Sequence, residues 1–139
     1  MPRQTENEKK VVEARHKGVS FSEMNALNKR IAIDQIMFRA AALCGSPLPQ
    51  TEVFATFIAE EIETYLLNFD YEEYTLAEFL LALQFNANGK IRNPAGDDLE
   101  QIQFTGAFIN VGYLAKVFNN YKALRNNLDS RLRNLMDGY

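Results

Sequence analysis

A chain of 139 residues, 47% hydrophobic and 24% charged, has the size and composition of one soluble globular domain. This excludes a wholly disordered chain, a collagen-like fibre and a low-complexity tail, and a core of this size needs no metal or disulfide staple. Fifteen basic and eighteen acidic residues give a net charge of -3, which argues against a strongly basic nucleic-acid coat protein but not against a local basic patch.

Residues 1–18 are mostly charged and polar and are expected to form a flexible arm or frayed helix, anchored only by Val11 and Val12 and ended by Gly18. Residues 19–139 are expected to form a single helical domain. Ser20-Phe21-Ser22-Glu23 fits a capping box, with a hydroxyl at the cap and a carboxylate three residues on. Behind it Met24, Leu27, Ile31, Asp34 and Met37 or Phe38 recur at three- and four-residue steps, with Ile33, Ile36 and Ala40 to Leu43 widening the stripe, which predicts a helix over about 20–43. Gly45, Pro47 and Pro49 stop it.

Thr51 is placed to cap a second helix, with Phe54, Ile58, Ile62, Tyr65 and Leu66 on one face and Glu60, Glu61 and Glu63 mostly on the other. Asn68-Phe69-Asp70-Tyr71 reads as a turn. Thr75-Leu76-Ala77-Glu78 is another capping box, and the helix it opens is apolar nearly all round, as a central element would be. Asn86-Ala87-Asn88-Gly89 supplies its exit. Residues 89–109 form a long connector, with turn chemistry at Asn93-Pro94-Ala95-Gly96 and a short hairpin expected between Ile91 and Ile102 or Phe104. Asn110 caps a last helix over about 110–136, in which Leu114, Tyr121, Leu128 and Leu135 recur every seven residues. The expected fold is therefore all-α: a compact bundle of about four helices, with a charged N-terminal arm and a long loop before the last helix.

The charge is strongly partitioned. Residues 1–39 carry +3, residues 40–89 carry -8 with no Lys or Arg, residues 90–109 carry -1 and residues 110–139 carry +3. Charge runs on helices usually face water, so a solvated acidic face is the plain interpretation. The functional interpretation is a surface that docks a basic partner, since complementary charge sets association rate and specificity.

Catalytic constellations fail on counting. His16 is the only histidine and Cys44 the only cysteine, so a histidine metal cage and an internal disulfide are both ruled out. No phosphate-cradling glycine loop and no nucleophile elbow is present. Glu60 and Glu63, with Asp70 or Glu73, could supply oxygen ligands to a divalent ion, but no alternating ligand loop accompanies them. The expectation is a non-enzymatic protein with no cofactor, no metal and no small-molecule substrate. The N-terminus lacks an apolar signal core and no apolar run approaches the ~20 residues of a membrane span, so a cytoplasmic protein without a membrane partner is expected.

Two binding surfaces follow. The first is a protein interface, to a partner or to another copy, formed by Glu60, Glu61, Glu63, Asp70, Tyr71, Glu72, Glu73 and Tyr74, with the tyrosines as exposed anchors. The alternative is a nucleic-acid interface formed by Lys116, Lys122, Arg125, Arg131 and Arg133 of the last helix, with Arg3, Lys9, Lys10, Arg15 and Lys17 of the arm.

The stretch Tyr74–Gly89, with its "T-x-x-E-hydrophobic … N-x-x-G" pattern, and the stretch Asn110–Arg125, where Leu114, Phe118, Tyr121 and Arg125 stand at the positions of "V-x-x-x-h-x-x-Y-x-x-x-R", lie in a region that spans about a third of the chain. They resemble small helical proteins of phages and mobile elements from Bacteroides-like bacteria. The resemblance implies an accessory role near DNA replication or virion assembly and carries over no catalytic residue.

Overall fold

The computed structural model describes residues 6–89 and 99–137, with side chains to residue 134. The described residues form five α-helices: α1 (Glu6–Arg15), α2 (Ala26–Cys44), α3 (Glu52–Asn68), α4 (Leu76–Ala87) and α5 (Val111–Asp137). The expected hairpin at Ile91 and the turn at Asn93–Gly96 lie outside the described residues.

Local chemistry explains most helix ends. Thr51 Oγ1 accepts from Phe54 N at 3.2 Å and starts α3. Thr75 and Glu78 form a reciprocal capping box at the head of α4, at 3.2 and 3.3 Å. Asn110 Oδ1 accepts from Tyr113 N at 3.0 Å and starts α5. Gly45 ends α2 in the left-handed conformation, at φ 68°. Asp70 takes φ 69° in the tight turn after α3, a conformation that a short polar side chain tolerates.

Three expectations change. Leu27, Ile31 and Phe38 of the expected α2 stripe are exposed, and Ala32, Ile33, Ile36, Met37, Ala40 and Ala41 form its buried face instead. Ser20 makes no side-chain cap, and Phe21–Glu23 form only a short 3-10 turn. Its backbone is used across the fold instead: Phe21 N donates to Tyr74 O at 2.8 Å and Ser22 N to Glu72 O at 2.9 Å. The helix begins at Ala26, where Asn25 accepts from Asn28 N at 2.8 Å. The arm is also not free over residues 6–15. It forms α1, packed on α4 and α5, with Val11, Ala14 and the carboxylate-bearing Glu8 buried. Full burial of Val11 alone is worth about 1.5–3 kcal/mol.

The apolar α4 is the central element, in contact with α1, α2 and α5, while α3 bridges α2 and α5 on the other side. The seven-residue seam of α5 turns inward: Leu114, Val117, Phe118, Tyr121, Leu124 and Leu128 are all buried within the chain. Phe79 stands at the middle of an aromatic cluster, with Phe118 at 5.0 Å, Tyr74 at 5.9 Å and Phe21 at 6.1 Å between ring centres.

Candidate functional site

Helix α3 buries Ile58, Ala59, Ile62 and Leu66 against the core. The opposite face, reached at steps of three and four residues, holds Val53, Phe57, Glu60, Thr64 and Leu67. A core-facing helix needs one apolar stripe, and α3 has two. Val53 is 82% exposed and Phe57 57% exposed. Beside them Phe54, Phe57, Ile58, Glu61 and Phe108 line an open groove of about 510 Å³ that runs to the start of α5. Phe54 and Phe108 meet edge to face at 5.4 Å, which fixes one wall. Glu60 and Glu61 are exposed and Glu63 is half-buried, and none of the three forms an ion pair among the described residues.

The remaining members of the expected acidic interface separate. Asp70 is exposed and reaches Lys122 at 3.6 Å. Glu73 is exposed, and Glu72 is half-buried with Oε2 enclosed and unpartnered among the described residues. Tyr71 and Tyr74 are not exposed anchors: both are buried, as are Tyr113 and Tyr121. The reason is that the hydroxyls of Tyr71, Tyr113 and Tyr121 find internal hydrogen-bond partners and the Tyr74 ring faces a cation, so these side chains can enter the core. Tyr71 Oη donates to Asn119 Oδ1 at 3.3 Å. Tyr74 lies under the Arg125 guanidinium at 4.3 Å. Tyr121 Oη donates to Glu78 Oε2 at 2.8 Å. Tyr113 Oη accepts from Asn86 Nδ2 and from Cys44 Sγ, each at 3.1 Å. Burial pushes the Tyr74 hydroxyl up to about 12 against the opposing pull of Arg125, and raises those of Tyr71, Tyr113 and Tyr121 further.

The alternative basic surface is divided in the same way. Arg125 Nε donates to the buried Glu78 Oε2 at 2.8 Å. Arg131 pairs with the buried Glu8 of α1, and Arg15 of α1 pairs with Asp129 at 2.5 Å. Lys122 is held between Asp70 and the Tyr71 ring, 5.1 Å from its centre. Of the five cations on α5, Lys116 and Arg133 are exposed. Lys9 pairs with Glu6 at 3.3 Å; Arg3 lies outside the described residues.

Lys10 and Lys17 instead join Arg39 of α2 on the rim of a second groove, of about 680 Å³. Its floor is apolar, with Leu76, Leu80 and Leu81 of α4 and Met24. One carboxylate, Glu13, shares the lining. Lys10, Lys17 and Arg39 form no ion pair among the described residues.

Sequence reasoning missed both grooves. For α3 the signal was present: Val53 and Phe57 are apolar residues at i, i+4 spacing that lie off the core stripe. For the basic groove there was none, because Lys10, Arg39 and Leu80 are brought together only by the packing of α1 and α2 on α4. Among the described residues, no group of three or more His, Cys, Asp or Glu is arranged to hold a metal ion, and no helix is long and apolar enough to cross a membrane. Comparison with protein-family models, with characterised proteins and with solved structures returns no match.

Proposed function

We propose that this chain is a non-enzymatic protein-interaction or assembly module that docks through the outward face of α3. The observation that carries this is the second apolar stripe of α3: Val53 and Phe57 stand in water at 82% and 57% exposure, interleaved with unpaired carboxylates. Exposed apolar surface rimmed by polar groups marks contact sites, and an apolar anchor beside charged side chains gives both affinity and orientation. The acidic segment thus remains the docking region, with Val53 and Phe57 as anchors in place of Tyr71 and Tyr74. The partner surface would be apolar and basic. An accessory role in a phage or mobile element rests on the resemblance in the α4 and α5 sequences and belongs to the same proposal.

A photo-crosslinking residue placed at position 57 tests the docking surface. It should give a discrete adduct in cells making the protein, and the adduct should vanish when Glu60 and Glu61 are both replaced by lysine. The same probe at Asn126, exposed on α5, should give none. An absence of any adduct specific to position 57 refutes the proposal.

A further inference from the structure

We infer that the partner of the α3 face is the basic groove of a second copy of this chain, so that copies associate head to tail. This rests on the docking role proposed for α3 and names its occupant. The two surfaces are complementary in charge, and each exposes apolar side chains beside its charged ones. One is a helix face, presenting Val53 and Phe57 with Glu60 and Glu61 beside them. The other is concave: a groove of about 680 Å³ with Leu76, Leu80 and Leu81 in its floor and Lys10, Lys17 and Arg39 on its rim. An amphipathic helix laid into an apolar groove is a recurrent recognition mode.

Position allows both to be engaged at once. Helix α2 stands between them: Gln35 and Arg39 face the groove, while Ala26, Arg30 and Ile33 line the seam with α3. A copy docked on one side therefore leaves the other side open. Charge also selects against the symmetric alternative. Two α3 faces related by a two-fold axis would set Glu60, Glu61 and Glu63 against their own copies, and the cation lining the same seam, Arg30 of α2, is already paired with Asp34. Two basic grooves would repel likewise. Pairing α3 with the groove is heterologous, and a heterologous contact propagates into a ring or an open filament.

Sedimentation velocity on the full chain at low salt, over a series of concentrations, tests this. The weight-average mass should rise past that of a dimer and fall back toward the monomer in high salt. Glu60→Lys with Glu61→Lys should abolish assembly, and so should Lys10→Glu with Lys17→Glu; Arg39→Glu provides a second groove variant. Circular dichroism confirms that each variant remains folded. An equimolar mixture of the two charge-reversed proteins restores every complementary contact, so it should assemble past a dimer although neither does alone. A mixture that stops at a dimer overturns head-to-tail growth. A wild-type protein that stays monomeric throughout also overturns it. If position 57 nonetheless crosslinks to a different protein, the docking role of α3 stands and only the second-copy assignment falls.

Discussion

Replacing Glu78 by glutamine keeps the shape of the side chain and removes one charge from the most enclosed polar cluster of the fold. Three donors converge on that carboxylate. Thr75 N–H reaches Oε1 at 3.3 Å, while Tyr121 O–H and Arg125 Nε–H both reach Oε2 at 2.8 Å. A carboxylate accepts all three; an amide has one acceptor oxygen and an NH2 that only donates. With the amide oxygen toward Arg125, its NH2 faces the Thr75 N–H. With the amide flipped, its NH2 faces the Arg125 guanidinium. Either orientation sets donor against donor in a site where the Glu78 side chain is 1% exposed. Removing one partner of a buried ion pair costs about 3–5 kcal/mol. The Arg125 side chain keeps 16% exposure and can recover some water, which places the loss near the lower end, about 3 kcal/mol. For a chain of this size that is a fall in Tm of about 10 °C. Urea unfolding followed by circular dichroism measures it, with exposed Glu60→Gln as a control expected to change stability by less than about 0.5 kcal/mol. A Glu78→Gln loss below about 1 kcal/mol at unchanged m-value would refute the argument that these three donors need a full carboxylate.

Alkaline pH should unfold the protein sharply. A buried tyrosine whose hydroxyl titrates above its unfolded value of 10 contributes its full stability below pH 10 and loses it as pH rises toward the folded value. For Tyr74 that window is pH 10 to about 12, at about 1.4 kcal/mol per pH unit, and Tyr71, Tyr113 and Tyr121 shift in the same direction. Phenolate absorbance should therefore rise together with the loss of helix; a smooth titration with helix content unchanged contradicts this. Asn86→Ala should cost about 1–3 kcal/mol. It removes the side chain that holds both Ile102 N and Ile102 O, at 2.7 and 3.0 Å, so hydrogen exchange should accelerate over 101–104 before it does in α2. Val11→Asp should undock α1, seen as rapid tryptic cleavage after Lys10 and Arg15 with the other helices retained. Unchanged cleavage would mean that α1 is not held by Val11.

The helices were legible where local chemistry decides them. Thr51, Thr75 and Asn110 each carry the cap oxygen that the following backbone needs, and the seam from Leu114 to Leu128 has a period that only a buried helix face explains. Ser20 misled because its capping pattern competes with a cross-chain use: the backbone at Phe21 and Ser22 pairs with residues 72–74. Residues 6–15 looked like a free arm because the features that dock them are remote in sequence. Glu8 is a surface residue by type and becomes buried only opposite Arg131. The tyrosines failed for a related reason. Composition shows that there are many, but not that Glu78 and Asn119 are placed to accept from their hydroxyls and Asn86 to donate to one. Of the expected interface, Glu60 and Glu61 on α3 stayed outside, Glu63 is half-buried and the aromatic members moved in, because burial depends on helix phase and charge alone does not report it.

The docking of α1 also orders events during synthesis. The ion-pair partners of Arg15 and Glu8 lie 114 and 123 residues further along the chain. At ribosomal rates of roughly 5–20 residues per second, α1 leaves the tunnel several seconds before either partner exists. During that interval Val11 and Ala14 have no complete seat, since α5 supplies one wall of it. Although α1 is made before α2 to α5, it is therefore among the last of the five to settle, and its closure depends on long-range contacts that pay their loop entropy late. A nascent chain arrested before Asp129 should expose this segment to proteases and chaperones even if α2, α3 and α4 have already collapsed together.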